Sequence, residues 1–292
     1  MSLIEKAAEK LDPQGSRTGT IPDLPAAAAT KQEPPLSQAP SDRTANVFQI
    51  DMDRLREMHI ITPHVQYSST AEEFRVIKRP LLNNAFNPEL PHGNLLMITS
   101  SLPGEGKSYC TLNLAMSISM EIDRTVLLID ADVSKPSVLS YLGIPPDENR
   151  KGLLDLLQDD TLSPADVIMR TNIRNLSILP PGQKGKYSTE LLASEAMEKL
   201  LDHLSQRYQD RIILFDSPPL LATTESRVLA SHMGQIVLVV EAGQTHQAAV
   251  AASLSMMKSF NVAGVVLNKS RQLLSADAYG YGYGYGYGYG QA

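Results

Sequence analysis

The stretch LLMITSSLPGEGKSYCTLNLAMSISM, residues 95–120, decides the fold. A short apolar run, LLMIT, reads as a buried strand, and the pattern after residue 107 reads as a helix. Between them SSLPGEGKS, residues 100–108, has the composition of a phosphate-binding loop in the strand–loop–helix setting that such a loop requires. Gly104 and Gly106 let the backbone turn its N–H groups around phosphate oxygens, and the following helix points its positive end at the same place. Lys107 is then expected to reach the β and γ phosphates of ATP, and the Ser108 hydroxyl to bind Mg2+. Ser101 replaces the first glycine of the usual G-x-x-x-x-G-K-[ST] pattern. Ser101, Pro103, Glu105 and Tyr109 complete the segment expected to contact the nucleotide.

Further apolar runs follow at 125–130, 176–179, 211–216, 236–240 and 262–267, with helical patterns between most of them at 107–120, 137–142, 152–158, 189–208 and 246–259. Continuously apolar strands with helical crossovers predict an α/β fold, a mostly parallel sheet of the P-loop NTPase type with helices on both faces. Ligands of such sheets bind at the carboxyl ends of the strands. TVLLIDAD, residues 125–132, delivers Asp130 and Asp132 to that edge, and RIILFD, residues 211–216, delivers Asp216. Magnesium takes one or two carboxylates together with a hydroxyl and phosphate oxygens, and Ser108 with Asp130, Asp132 and Asp216 clustered behind one loop meets that need.

The flanks differ in composition. Residues 1–45 contain no aromatic residue and six prolines, and the region to residue 65 is expected to be a largely disordered leader. Within it Leu3, Ile4, Ala7, Ala8 and Leu11 share one face of a short helix at 3–11, either frayed or docked on a partner. Thr70 with Glu73 reads as a capping box, so a helix and the folded domain, 66–270, are expected to begin there. The segment 271–292 is expected to be a flexible tail. Its strict Tyr-Gly alternation places Tyr279, Tyr281, Tyr283, Tyr285, Tyr287 and Tyr289 on one face when extended. A formal net charge of −6 offers no general footprint for nucleic acid. The single cysteine, Cys110, forms no internal disulfide, and a packed thiol in a reducing cytosol is expected. No apolar run approaches the ~18 residues of a membrane span.

The phosphate-binding loop, the Asp130-x-Asp132 pair, the Asp216-Ser-Pro-Pro segment and the tyrosine-rich tail, in this order, resemble the bacterial tyrosine kinases (BY-kinases) of exopolysaccharide systems. The resemblance covers roughly residues 66–292, and the start MSLIEKAAEKL is similar to that of soluble autokinases encoded with exosortase-type loci. It implies an ATP- and Mg2+-dependent tyrosine autokinase that phosphorylates its own tail. It implies Lys107, Asp130 and Asp132 as the catalytic set, with either aspartate accepting the tyrosine proton and Asp216 as the Walker B acid. It further implies a ring-like homo-oligomer, a membrane polysaccharide chain-length regulator as activator, a tyrosine phosphatase as counterpart, and a cytoplasmic location peripheral to the inner membrane. Ser134 stands where the family commonly has arginine, and the Pro-Pro-Asn-Pro often found after LPPG, residues 179–182, is missing, while ELLAS at 190–194 is retained.

Glu72, Arg75 and Lys78 match the family's Glu-x-x-Arg-x-x-Arg self-association motif with lysine in the last place. They read either as subunit contacts or as an ion-pair ladder on a solvated face. Asn268, after the last strand, is expected near the nucleotide base. Two other classes stay open: a partitioning-type P-loop ATPase switch, disfavoured because Leu102 stands where those proteins place an extra lysine, and a non-catalytic nucleotide-binding scaffold.

Overall fold

The computed structural model describes residues 47–63, 68–207 and 210–270; the expected helix at 3–11 and the six tail tyrosines lie outside the described residues. Eight strands form one sheet: β1 (Val47–Phe48), β2 (Leu95–Ser100), β3 (Thr125–Asp130), β4 (Met169–Thr171), β5 (Leu176–Leu179), β6 (Arg211–Asp216), β7 (Gln235–Glu241) and β8 (Val262–Asn268). Their order is β1-β4-β5-β3-β6-β2-β7-β8. All neighbours pair in parallel except β4 with β5, which confirms the mostly parallel sheet.

The central strands β2, β3, β6 and β7 are almost wholly buried because both faces of the sheet are covered there, whereas the edge strand β8 leaves Val265 and Leu267 exposed. Side chains alternate along each strand. Leu96, Ile98, Val126, Leu128, Ile212 and Leu214 therefore enter one core and Leu95, Met97, Leu127, Ile129, Ile213 and Phe215 the other. Each such side chain contributes about 1.5–3 kcal/mol when fully removed from water. The first core is closed by α2 (Ser69–Ala85) and α3 (Lys107–Ser119), preceded in the chain by α1 (Met52–Glu57). Helix α3 lies between the sheet and α2, and almost every residue from Ser108 to Ser119 is buried.

Several expectations are corrected. Residues 47–63, assigned to the leader, belong to the fold: β1 pairs with β4, and Ile50, Leu55, Ile60 and Ile61 are buried in the first core. The run Val47–Phe48 is too short to signal a strand by itself. The N-cap of α2 is Ser68, whose side chain accepts from the Ala71 N–H, so Thr70 already sits in the first turn. The helix expected at 189–208 is broken at Ala193–Ser194 into Ser188–Leu192 and Glu195–Arg207.

Lys78 is also corrected. A spacing of three residues lags a helical turn by about 60°, so Lys78 lies about 120° around α2 from Glu72. Glu72 and Arg75 form an exposed ion pair with each other, whereas Lys78 is 6% exposed. Its Nζ donates to the Ser117 carbonyl at 2.7 Å and meets Glu121 Oε1 at 2.5 Å, which ties α2 to the end of α3. Lys78→Ala is expected to lower stability by about 1–3 kcal/mol, because the buried carbonyl and Glu121 lose their partner. Arg75→Ala should stay within about 0.5 kcal/mol. Urea midpoints that move equally in the two variants would contradict this assignment.

Candidate active site

The register of the central strands assembles the site. Asp130 pairs with Asp216 across β3 and β6, and Asp216 pairs with Ile98 of β2, so the two acids and the loop leaving β2 share one edge. Asp130, Asp132 and Asp216 are all nearly inaccessible to solvent. Lys107, at the first position of α3, extends into this acidic group. Its Nζ lies 2.8 Å from Asp132 Oδ2, 4.0 Å from Asp216 Oδ2 and 3.3 Å from the Ser108 hydroxyl. Ser108 Oγ donates to Asp216 Oδ2 at 2.6 Å and accepts from Ser137 Oγ at 3.0 Å. Thr111 Oγ1 reaches the other Asp216 oxygen at 3.2 Å.

Asp130 is held differently. Its Oδ2 accepts the peptide N–H groups of Ser137 and Val138, both at 3.0 Å, while its Oδ1 is buried without a hydrogen-bond partner. Burial, reinforced by the charge of Asp216, pushes the Asp130 carboxyl well above the usual range, against the two peptide donors. Burial also raises Asp216, opposed by the Lys107 ammonium and the Ser108 hydroxyl. Burial alone would lower the lysine, but Asp216 and the bonded Asp132 outweigh it and hold Lys107 above its ordinary value. The ammonium is therefore charged at neutral pH.

These groups fit a magnesium ion with nucleotide. A hydroxyl and carboxylates at one strand edge form an oxygen donor set, and the unpartnered Asp130 Oδ1 is a buried acceptor lacking a donor or cation. No cluster of three or more His, Cys, Asp or Glu side chains suited to a metal occurs among the described residues.

The phosphate-binding loop is shaped by contacts from distant sequence. Gly104 and Gly106 have φ of 89° and 92°, the left-handed region that glycine enters freely. A Cβ on Gly106 would lie 2.1 Å from the Asn268 amide nitrogen. That amide donates to the Glu105 carbonyl at 2.8 Å, and Lys269 Nζ donates to the Gly104 carbonyl at 2.7 Å while pairing with Glu241 at 2.9 Å. Asn268, expected near the base, thus spends its amide on the loop backbone. Glu105 is 3% exposed; it accepts from the Leu102 N–H and from the Thr245 hydroxyl. Ser101 accepts from Ser253 Oγ at 2.9 Å. The exposed Pro103 has no side-chain donor of its own. The Tyr109 hydroxyl donates to the His59 carbonyl at 2.9 Å, so only its backbone belongs to the loop. Cys110 is a packed thiol as expected, pushed up to about 12 by burial and by Asp216.

Ser137, Thr111, Thr245 and Lys269 complete the network without a motif of their own. Only Lys269 carried a signal, its position beside Asn268 at the end of the last strand.

A family profile described as "AAA domain" matches residues 94–269. The tyrosine-protein kinase YwqD of Bacillus subtilis is 31% identical over 215 residues, 73% of this chain and 86% of that protein. The chain belongs to the bacterial tyrosine-protein kinase family. The BY-kinase match extends to the tyrosine-protein kinase wzc of Salmonella typhimurium, 34% identical over 177 residues, 60% of this chain. The chain spans only about a quarter of that relative's length, 24% of it aligned. Among solved structures, the VpsO kinase domain is 32% identical with a TM-score of 0.55, covering 70% of this chain and all of that one. Asp130, Asp132, Asp216 and the phosphate-binding loop all fall inside the region that the profile matches, whereas the tyrosine repeat follows it.

Proposed function

We propose that the chain is an ATP-dependent tyrosine autokinase whose acceptors are Tyr279, Tyr281, Tyr283, Tyr285, Tyr287 and Tyr289. The observation that carries this reading is the meeting of Lys107, Ser108 and three buried carboxylates at one strand edge, in a chain that carries a tyrosine–glycine repeat at 279–290. In the step proposed, a tyrosine oxygen forms a bond to the γ phosphorus of ATP and the bond from that phosphorus to the β–γ bridging oxygen breaks, leaving ADP. The phenol proton passes to Asp130 or Asp132. A tyrosine hydroxyl has an ordinary pKa of ~10, so a nearby carboxylate assists attack at neutral pH.

Lys107 leaves its ion pair with Asp132 to neutralise the transferring oxygens, and the loop N–H groups position them. Ser108, Asp130 and Asp216 would hold Mg2+, which when bound adds positive charge at the phosphoryl oxygens. No helix among the described residues is long and apolar enough to cross a membrane. A membrane chain-length regulator as activator, a role in exopolysaccharide export, an opposing tyrosine phosphatase and ring-like self-association are parts of the same proposal. The exposed Glu72 and Arg75 are the part of the self-association motif free to meet a neighbour. Leu102, 39% exposed where partitioning ATPases place a lysine, disfavours their mechanism.

The deciding experiment incubates the chain with ATP and Mg2+ and maps the C-terminal peptide by mass spectrometry. Phosphotyrosine between residues 279 and 289 is expected; release of phosphate into water with none on tyrosine would favour the ATPase switch. Transfer is expected between chains. The ten residues 269–278 span at most ~33–36 Å, and tethering reaches effective concentrations in the mM range. An active chain lacking residues 279–292 should therefore phosphorylate a Lys107→Ala chain. Its failure to do so, with dilution-independent self-modification of the intact chain, would establish a route within one chain.

A further inference from the structure

Beyond Asp130, on the side of the sheet edge toward β5, lies a cavity of about 510 Å3. Its volume is in the range of small-ligand sites. Leu139, Ile144 and Pro181 give it apolar walls, and Arg54 and Arg150 are the two cationic residues of its lining. One wall is held in place by α5 (Leu153–Gln158), preceded in the chain by α4 (Val138–Tyr141): the Leu153 and Leu154 N–H groups donate to the Pro180 and Pro181 carbonyls at 2.8 and 3.0 Å. A Cβ on Gly152 would fall 2.2 Å from the Pro180 oxygen, so this approach is close and requires glycine. The cavity is preformed.

Its arginines carry charge that no carboxylate of the described residues neutralises by direct pairing. Neither Arg54 nor Arg150 takes part in an ion pair among the described residues, although Arg56, two residues from Arg54, pairs with Asp53. The Arg150 guanidinium donates to the Pro145 carbonyl at 3.1 Å and lies over the Phe48 ring at 5.6 Å. Asp147 also lines the cavity, with Oδ1 accepting from the Asn149 N–H at 3.0 Å, and Asp130 closes the end nearest the phosphate loop.

Apolar walls with two unpaired guanidinium groups suit an aryl phosphate. We propose that this cavity binds a phosphotyrosine of the tyrosine–glycine tail of a second copy of the chain. The ring would lie against Leu139, Ile144 and Pro181. Its phosphate, carrying about −1.5 to −2 charges, would meet Arg54 and Arg150, whose planar forks match phosphate oxygens. Strand geometry puts the next tyrosine of the repeat roughly 6.6–6.8 Å along the chain. A modified residue held here therefore keeps unmodified ones beside the catalytic carboxylates, and the tail is phosphorylated in succession. This inference rests on the tyrosine kinase reading for the origin of the phosphotyrosine, but binding itself needs no turnover.

The test uses the full chain without ATP and fluorescent Gly-Tyr-Gly-Tyr-Gly peptides, one unmodified and one carrying a single phosphotyrosine. Anisotropy should show the phosphopeptide binding at least about fivefold more tightly. Paired Arg54→Gln and Arg150→Gln substitutions, which remove the charge and keep an unbranched polar side chain, should erase that preference while leaving binding of a fluorescent ATP analogue intact. Lys107→Ala should retain the preference, and phenyl phosphate should compete better than inorganic phosphate. Equal affinity for the two peptides overturns the proposal. So does loss of the preference in Lys107→Ala, or equal competition by the two phosphates, since either places the anion on the phosphate-binding loop. Tail phosphorylation with no phosphopeptide preference would sink this inference alone; a preference without any tail phosphorylation would sink the kinase reading alone.

Discussion

Lys107→Ala is expected to reduce tail phosphorylation by ~10²–10³, about 2.7–4 kcal/mol of transition-state stabilisation. Among the described residues the lysine is the cation that pairs with this acidic group, with direct contacts to Asp132 and Asp216. A loose phosphoryl-transfer transition state leaves little for the protein to do except position and neutralise charge, so loss of the ammonium cannot be offset by the loop N–H groups. The side chain adds little to the hydrophobic cores, and Asp216 keeps its bonds to Ser108 and Thr111. The far-ultraviolet circular dichroism spectrum should therefore match that of the unmodified chain. Quantitative mass spectrometry of the tail, at saturating ATP, checks the rate; a folded variant with unchanged activity would remove the loop from the catalytic machinery.

Asp130→Asn is expected to abolish phosphorylation and yet stabilise the fold. The amide oxygen can accept the same Ser137 and Val138 N–H groups, and the substitution removes a carboxylate that burial disfavours in its charged form. A carboxyl whose pKa is raised on folding binds more protons in the native state than in the unfolded one. Its contribution is then most favourable below the unfolded value of ~3.9 and is lost as pH rises through the folded value. At pH 7, far above the unfolded value, the unmodified chain bears a cost that the asparagine variant does not. The asparagine variant should gain on the order of 1 kcal/mol, about 2–4 °C in Tm for a domain of this size. Its stability should also fall less steeply between pH 4 and 8 than that of the parent. Thermal unfolding at pH 5 and pH 7 tests the sign: equal differences at both would show that Asp130 does not titrate in this window. Asp132→Asn, measured in the same activity assay, separates the proton acceptor: loss of the acidic limb of its pH–rate profile assigns that role to Asp132, and a retained limb leaves it to Asp130.

The apolar runs at 125–130, 176–179 and 211–216 coincide with β3, β5 and β6. A strand buried on both faces carries its signal in every residue, and turn or charged residues end it abruptly. The same logic revealed Asp130 and Asp216 at strand ends and the glycines of the phosphate-binding loop, whose positive φ follows from residue type. These are local properties, determined by neighbours along the chain. What tertiary structure alone decided are contacts between residues far apart in sequence. Lys78 looks like one more rung of an exposed ladder until α3 packs over it and supplies the Ser117 carbonyl 39 residues away. Val47–Phe48 becomes a strand only because β4 offers an edge. Asn268 and Lys269 grip the loop across more than 160 residues of sequence, and Arg54 joins Arg150 and Asp130 in one cavity only after α1 docks on the first core. Periodicity reports how a segment meets water and apolar surface on average, whereas the partner of a buried polar group is chosen by the path of the folded chain.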